Sequence, residues 1–442
     1  MTRFRTLLIV LLAGAWTPVP AWAAPEVLEE VPVAKVWAGH PVGFCLLTNA
    51  PRQYVAFYDA DRWMTVGMRT LGEKGWTLAR LPERVGWDSH NSITLVLDDA
   101  GHLHLCGNMH VDPLVYYRTT APGDVTSFQR IHRMVGPNED KCTYPQFLRG
   151  AENELVFTYR DGKSGEGNQI YNAYDVKTGK WRRLLDSPLT DGEGLMNAYF
   201  HGPVKGPDGL FHLCWVWRDH SGCESNHDLS YARSRDLVHW EDSRGNALPL
   251  PIKLVGCDIV DPVPAKGGMI NGNHKIGFDS KNRVVISYHK FDENGITQLY
   301  NARLEDGKWV IRQASDWDYR WWFEGGGSIM FEVHVGSVAP EGEGRLAQTW
   351  GHAKLGGGGW LLDEETLKPV GPYKRPASHP ATLSKVTTDH PDMQVNWRAD
   401  TGENTGGGTY LIRWETMKSN RDRPRESYPE PGMLTLCRIG GK

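Results

Sequence analysis

Apolar and polar residues alternate along most of the chain, and stretches with helical periodicity are nearly absent. Glycine and proline interrupt the alternating runs at short intervals, as is typical of strands joined by turns. A turn with an alternating run, or a related run, recurs at residues 53–58, 99–105, 153–159, 208–213, 282–288, 344–350 and 408–414. Strand-only repeats of this size are typical of β-propellers, in which each repeat forms one four-stranded sheet. The seven repeats predict an all-β, seven-bladed β-propeller.

Three of the repeats end in a tryptophan that follows a tyrosine and a charged turn, at Trp181, Trp240 and Trp309. Residues 234–240 resemble the Asp box of the bacterial neuraminidase repeat without its glycine; the alternative is an ordinary hairpin turn plugged by an aromatic ring. No segment resembles an interdomain linker, so we expect one domain over residues 24–442. The apolar run from Met433 is predicted to close the ring against an early strand.

The chain has 442 residues and a formal net charge of -4. Arg3 and Arg5 precede an apolar run at residues 6–16, and small residues follow up to Ala23. This is the pattern of a secretory signal peptide, predicted over residues 1–23, and it implies a secreted or periplasmic protein. The apolar run is too short to span a bilayer, so no membrane insertion is expected. The mildly acidic balance gives no electrostatic reason to expect a nucleic-acid partner.

The seven cysteines are odd in number and form no CxxC pair, which argues against a disulfide scaffold. Cys106 and Cys214 lie in strand-like runs and are interpreted as buried thiols. His220, Cys223 and His227 form a candidate zinc cluster, although their spacing fits no standard finger. We therefore expect catalysis that requires no cofactor. If the chain binds a structural ion, we expect zinc or calcium.

Polar side chains with catalytic potential follow the predicted strands at one end of successive blades. The candidates for catalysis are His90, His110, Tyr159, Arg160 and Arg218, and those for substrate binding are Asn91, Asn108, Tyr144, Tyr199, Asn226 and His227. His90 or His110 alone is better explained as a solvated loop residue, and it is the pair with Asn91 and Asn108 that makes a site an equal alternative. Paired carboxylates of glycosidase type are not evident, because the available aspartates lie in Asp-Gly or Arg-Asp contexts that suggest turns or arginine partners. The clustered His, Tyr, Arg and Asn residues instead suggest proton transfer on an acidic substrate.

Short motifs across nearly all of the mature chain carry a resemblance to a known family. They are Gly39-His40, His90-Asn91-Ser92, Gly107-Asn108-Met109-His110, Tyr159-Arg160-Asp161-Gly162, Asn226-His227-Asp228, Asp318-Tyr319-Arg320-Trp321, Trp414-Glu415 and Asn420-Arg421-Asp422-Arg423-Pro424. The sequence resembles the seven-bladed neuraminidase-repeat (BNR) propellers that include ulvan lyases, rhamnose-glucuronate lyases and α-L-rhamnosidases. The resemblance implies a lyase site at His90, His110, Tyr159 and an arginine. In the rhamnosidases a histidine on the opposite face is implicated, and His40 is similar to it.

These observations predict a polysaccharide lyase that cleaves by β-elimination beside glucuronate in an acidic, rhamnose-rich glycan such as ulvan. Arg160 or Arg218 would neutralise the uronate carboxylate. Tyr159 and His90 would form the proton-transfer pair and would share one pocket with an arginine. The alternatives are an exo-acting α-L-rhamnosidase that uses His40 and a catalytically inactive carbohydrate-binding propeller.

Overall fold

The computed structural model describes residues 24–402 and 407–440, so the predicted signal peptide at residues 1–23 lies outside the described residues. The described residues form strands joined by turns and contain no α-helix. Three short 3₁₀ turns occur at Val125–Ser127, Cys223–Ser225 and Ala381–Ser384. No described helix is long or apolar enough to cross a membrane.

The strands are short, as the alternating runs predict. They are β1 (Glu26–Val36), β2 (Cys45–Asn49), β3 (Arg52–Tyr58), β4 (Trp63–Thr70), β5 (Thr77–Arg84), β6 (Thr94–Leu97), β7 (Leu103–Cys106), β8 (His110–Asp112), β9 (Tyr116–Thr119), β10 (Phe128–Arg130), β11 (Cys142–Arg149), β12 (Leu155–Asp161), β13 (Asn168–Asp175), β14 (Lys180–Arg183), β15 (Asn197–Lys205), β16 (Phe211–Arg218), β17 (Asn226–Ser234), β18 (Trp240–Glu241), β19 (Asp258–Asp261), β20 (Lys275–Phe278), β21 (Val284–Phe291), β22 (Thr297–Glu305), β23 (Lys308–Gln313), β24 (Val333–Gly342), β25 (Arg345–His352), β26 (Gly356–Asp363), β27 (Pro369–Pro372), β28 (Met393–Ala399), β29 (Thr409–Met417) and β30 (Gly432–Gly440).

These strands form seven antiparallel sheets, which we call blades one to seven. The blades are β2–β5; β6, β7, β9 and β10; β11–β14 with β8; β15–β19; β20–β23; β24–β27; and β28–β30 with β1. The first strands of neighbouring blades contact one another, as β2 does with β6 and with β28. Seven sheets of four or five strands, arranged around their first strands, confirm the predicted all-β propeller.

The seventh blade joins the two ends of the described chain. Strand β1 pairs antiparallel with β30, from Glu26 opposite Gly440 to Val36 opposite Gly432. The outermost strand of this blade therefore comes from the N-terminal side and the other three from the C-terminal side. The prediction that the run from Met433 closes the ring against an early strand is confirmed.

The tryptophans at the repeat ends pack within and between strands. Trp181 lies 5.0 Å from the ring of Tyr174, and its indole N–H donates to the Tyr116 hydroxyl at 3.0 Å. In the turn before Trp240, the Asp236 carboxylate accepts from the backbone N–H of Val238 at 2.9 Å. Such contacts bury the large aromatic side chains that a blade needs for its core. The cysteines are all unpaired, and all but the half-buried Cys257 are buried, as predicted.

In each blade, the ends of two neighbouring strands lie side by side at the same end of the propeller. Because neighbouring strands are antiparallel, the start of the first strand lies beside the end of the second. In blade three, Thr143 of β11 pairs with Arg160 of β12. In blade four, Asn197 of β15 pairs with Arg218 of β16. Both arginines are therefore carried to the same end of the propeller.

Candidate functional site

A cavity of about 510 Å³ lies at this end of the propeller. His90, Tyr144, Arg160, Tyr199 and Arg218 all line it. None of the described residues that line it is an aspartate or a glutamate, although the chain as a whole is acidic. Two guanidinium groups without a lining carboxylate make the cavity cationic, which favours an anionic ligand.

Arg160 is buried at the end of β12 and is held by neighbours on two sides. Its Nε donates to the Gly162 carbonyl at 3.1 Å, and its Nη1 donates to the Tyr199 hydroxyl at 3.0 Å. A Cβ at Gly167 would come within 2.7 Å of Arg160 Cδ, so the glycine-rich loop packs closely against this side chain. Nη2 has no hydrogen-bond partner among the described residues. Nη2 is therefore a buried donor, and Arg160 acts on the cavity chiefly through its positive charge.

Arg218 takes the corresponding place at the end of β16. Its Nε donates to the His220 carbonyl at 3.0 Å, and its Nη1 donates to Asn271 Oδ1 at 3.2 Å. Its guanidinium carbon lies 5.2 Å from the centre of the Tyr199 ring, and that of Arg160 lies 5.5 Å from it. Tyr199 thus lies between two positive charges.

Of the three tyrosines that line the cavity, Tyr144 and Tyr199 have pKa values shifted in opposite directions, although Arg160 lies near both rings. Burial would raise the pKa of Tyr199, but the charges of Arg160 and Arg218 outweigh burial and lower that pKa below its ordinary value. The Tyr199 hydroxyl also donates to Ser164 Oγ at 2.8 Å. Burial raises the pKa of Tyr144 well above the usual range, so its hydroxyl keeps its proton. The ring centres of Tyr144 and Tyr199 are 6.2 Å apart.

One carboxylate holds both histidines of the site. Asp88 Oδ1 lies 2.6 Å from His90 Nδ1, and Asp88 Oδ2 lies 2.5 Å from His110 Nδ1. The two imidazole rings stack with centres 4.3 Å apart, and only His90 lines the cavity. Burial disfavours the Asp88 carboxylate, but the hydrogen bonds from His110 and His90 outweigh burial and hold the pKa of Asp88 well below its usual range. Asp88 therefore stays ionised.

The prediction that Tyr159 shares this cavity with His90 is wrong. Tyr159 is fully buried, and its hydroxyl donates to the Asn138 carbonyl at 2.9 Å and accepts from Arg183 Nη1 at 3.2 Å. The reason is the period of two in a strand, which sends Tyr159 and Arg160 to opposite faces of β12. The tyrosines that the structure brings to the cavity are Tyr144, Tyr171 and Tyr199. The sequence suggested Tyr144 and Tyr199 only for substrate binding and did not indicate Tyr171.

Three predicted asparagines also lie outside this cavity. Asn91 and Asn108 line a separate cavity of about 400 Å³ together with Arg84. Asn226 is buried, and its amide donates to the Cys223 carbonyl at 2.6 Å. Asn91 precedes β6, Asn108 follows β7 and Asn226 begins β17, so all three lie beside strand ends, but none of them lines the cavity.

The structure does not bring His220, Cys223 and His227 together as one set of metal ligands. His227 is instead held between two carboxylates, with Nε2 2.9 Å from Asp219 Oδ1 and Nδ1 2.8 Å from Asp228 Oδ2. Burial opposes its charge, but hydrogen bonding to Asp228 and the charges of both carboxylates outweigh burial and raise the pKa of His227. Its ring nitrogens are thus already occupied.

Among the described residues, His, Cys, Asp and Glu side chains converge in threes only at Asp88, His90 and His110. We do not assign a metal there. The nitrogen–oxygen separations of 2.5 and 2.6 Å are hydrogen-bond distances. Two ligands of one tetrahedral zinc ion, each about 2.0–2.2 Å from the metal, lie roughly 3.3 Å apart.

His40 is only 1% exposed and packs beneath the surface. The Trp37 indole N–H donates to its Nδ1 at 2.8 Å, and the Trp87 ring lies 5.8 Å away. Burial lowers the pKa of His40 to about 4, so it is neutral near pH 7. In this conformation His40 does not reach a substrate, which leaves the predicted rhamnosidase site without an exposed catalytic histidine.

The chain matches one known protein family in sequence. A family model described as a BNR repeat-containing family member matches residues 52–317. The chain belongs to this family. No curated protein sequence matches the chain.

Solved structures of polysaccharide lyases share the fold of this BNR repeat protein. The polysaccharide lyase Uly1 is 13% identical with a TM-score of 0.62, over 94% of this chain and 100% of that one. An ulvan lyase of family PL25, bound to -[GlcA(1-4)Rha3S]-, is 11% identical with a TM-score of 0.60, over 94% of this chain and 96% of that one. At this identity the likeness establishes a polysaccharide-lyase-like fold.

Proposed function

We propose that this BNR repeat protein is a polysaccharide lyase that cleaves by β-elimination beside glucuronate in a rhamnose-rich glycan such as ulvan. The observation that carries the proposal is the cationic cavity in which Arg160 and Arg218 flank a tyrosine of lowered pKa. The likeness of fold to polysaccharide lyases supports it. A secreted or periplasmic location would give the enzyme access to a polymeric substrate.

β-Elimination first requires the uronate carboxylate to be neutralised, so that the proton on C5 becomes acidic. Arg160 and Arg218 both line the cavity, with guanidinium carbons 5.5 and 5.2 Å from the centre of the Tyr199 ring. Guanidinium groups suit this task because they pair with carboxylates through directed, charge-assisted hydrogen bonds. We assign both arginines to the carboxylate and to the negative charge that develops on it.

Tyr199 is the base that removes the C5 proton. A free tyrosine has a pKa of about 10, and only a lowered value gives a useful fraction of phenolate near neutrality. Arg160 and Arg218 supply that shift, and the hydrogen bond from Arg160 Nη1 stabilises the phenolate. As the C5 proton moves to Tyr199, the C5–H electron pair forms the C4–C5 double bond and the C4–O4 bond breaks.

His90 supplies the proton to the departing O4 from Nε2 of its doubly protonated imidazolium form, which leaves the neutral ring with its hydrogen on Nδ1. Tyr144 remains a neutral donor between the two proton-transfer groups. His90 Nδ1 is engaged by Asp88, so Nε2 is the ring nitrogen left for the substrate. The Tyr144 ring lies 5.8 Å from that of His90.

The test is product analysis with ulvan and other glucuronate polymers. A lyase produces unsaturated uronate ends, seen as rising ultraviolet absorbance, and releases no free rhamnose. Free rhamnose without the double bond would support hydrolysis instead. Retained glycan binding without either product would support the carbohydrate-binding alternative and overturn the lyase proposal.

A further inference from the structure

The paired histidines beside the cavity share one carboxylate, and the sequence motifs did not point to it. Asp88 contributes one oxygen to His90 Nδ1 and the other to His110 Nδ1. The backbone N–H of His90 also donates to Asp88 Oδ1 at 2.9 Å. We propose that Asp88 is a positioning residue that keeps one hydrogen on Nδ1 of both imidazoles, so that Nε2 is the nitrogen of His90 that binds and releases the separate proton given to the substrate. For the role of His90 this inference rests on the proposed function.

An ionised carboxylate accepts hydrogen bonds and donates none, so each Nδ1 that faces it must carry the hydrogen. The hydrogen bond on one ring nitrogen of a histidine sets which nitrogen is protonated. Because Asp88 uses both oxygens, the two rings are fixed in the same tautomer. Stacking at 4.3 Å and an angle of 29° then fixes the plane of His90 against His110.

The same contacts give His110 a supporting role. His110 stacks on His90 but is not among the residues that line the cavity. Its backbone N–H donates to Asp112 Oδ2 at 2.9 Å, which holds the segment that carries it. His110 therefore acts through Asp88 and His90, in contrast to the direct catalytic role suggested by the sequence.

Other ionisable groups face this unit. Asp422 Oδ2 lies 3.6 Å from His90 Nδ1, and Ser89 donates to the other Asp422 oxygen at 2.6 Å through its hydroxyl. Tyr144 faces both imidazole rings, and buried His40 lies near Asp88 and Asp422. Asp422 is more distant from the ring nitrogen than Asp88, so the orienting hydrogen bond belongs to Asp88.

Replacement of Asp88 by asparagine separates this role from simple packing. Asparagine keeps the shape but offers one acceptor oxygen and one donor NH₂ group. Only one ring can then keep its Nδ1 hydrogen, and the other must turn to the Nε2–H tautomer. We expect Asp88→Asn to lower kcat about 10²–10⁴-fold, while the dissociation constant for a short ulvan oligosaccharide changes by less than about threefold.

Asp236→Asn is the matched control, because Asp236 holds His239 by a similar 2.7 Å contact away from the cavity. It should leave kcat unchanged. His110→Phe keeps an aromatic ring against His90 and should lower kcat about tenfold, much less than His90→Gln. Equal losses in His110→Phe and His90→Gln, or wild-type turnover in Asp88→Asn, would overturn the proposal.

Nitrogen-15 NMR of the wild-type protein tests the same inference without turnover. Near neutral pH, His90 and His110 should both show a protonated Nδ1, and Asp88→Asn should convert one ring to the Nε2–H tautomer. A bare Nδ1 on either ring of the wild-type protein contradicts the proposal. Absence of unsaturated product with both Nδ1 protons present would instead remove the lyase function and leave the tautomer assignment intact.

Discussion

Blades three and four use the same two positions for different chemistry. Tyr144 and Tyr199 are each the third residue of a first strand, β11 or β15, and Arg160 and Arg218 lie near the ends of the second strands. Tyr199 accepts a hydrogen bond from Arg160 of the neighbouring blade and lies between both arginines. The Tyr144 hydroxyl makes no hydrogen bond to another described residue, and its pKa is raised. Arg160 lies 4.9 Å from the Tyr144 ring centre and 5.5 Å from that of Tyr199, but only the Tyr199 hydroxyl accepts a hydrogen bond from it. Repeated positions therefore acquire different acidities through the hydrogen bonds of their hydroxyl groups.

Separate removal of the Tyr199 and Tyr144 hydroxyl groups is the strongest test of the difference between the two blades. Tyr199→Phe deletes the base and should lower kcat about 10³-fold. Tyr144→Phe deletes one neutral donor and should lower kcat only about 10–100-fold. Steady-state rates of double-bond formation measure both effects. A larger loss of kcat in Tyr144→Phe than in Tyr199→Phe would show that Tyr144 is the base and Tyr199 the neutral donor.

Arg160→Gln should lower kcat/KM about 10²–10³-fold, because it removes a positive charge from the carboxylate site and from the environment of Tyr199. Arg182→Gln, in the same blade but exposed on β14, is the matched control and should retain activity. Initial rates with ulvan measure the difference. Equal activity of the two variants would show that Arg160 takes no part in the reaction.

The pH dependence of kcat/KM sharpens the role of the second arginine. Activity should rise with pH as Tyr199 loses its proton, and the rise should level off below pH 10 because its pKa is lowered. Arg218→Gln removes one of the two charges, so the rising limb should move to higher pH and the rate at a fixed lower pH should fall. An unchanged limb in Arg218→Gln would show that Arg218 does not tune the base.

The smallest effect is expected at Tyr159, the neighbour of Arg160 on the other face of β12. Tyr159→Phe removes hydroxyl contacts with Asn138 and Arg183 and should cost about 1 kcal/mol of folding stability. Turnover should stay near the wild-type value, because the hydroxyl lies outside the cavity. Thermal unfolding measures the change in stability, and steady-state rates measure turnover. A large loss of kcat in a folded Tyr159→Phe variant would show that Tyr159 takes part in catalysis.

The sequence was sufficient to predict the all-β propeller, because alternation and repeated turns are local signals. It also indicated His90, which precedes β6, and Arg160 and Arg218, which lie at the ends of β12 and β16. It did not separate Tyr159 from Tyr199, because the face that a strand residue occupies depends on the register between β12 and its neighbours. Asp88 lies two residues before His90, and only the contact with distant His110 reveals what it does.

The lowered pKa of Tyr199 is the central claim, and carbon-13 NMR of labelled tyrosine side chains measures it directly. Tyr199→Phe assigns the resonance. We expect the Tyr199 signal to titrate below pH 10, the Tyr144 signal to titrate above it, and the Tyr199 titration to move upward in Arg218→Gln. A Tyr199 signal that titrates at or above pH 10 in the wild-type protein would contradict its role as the base.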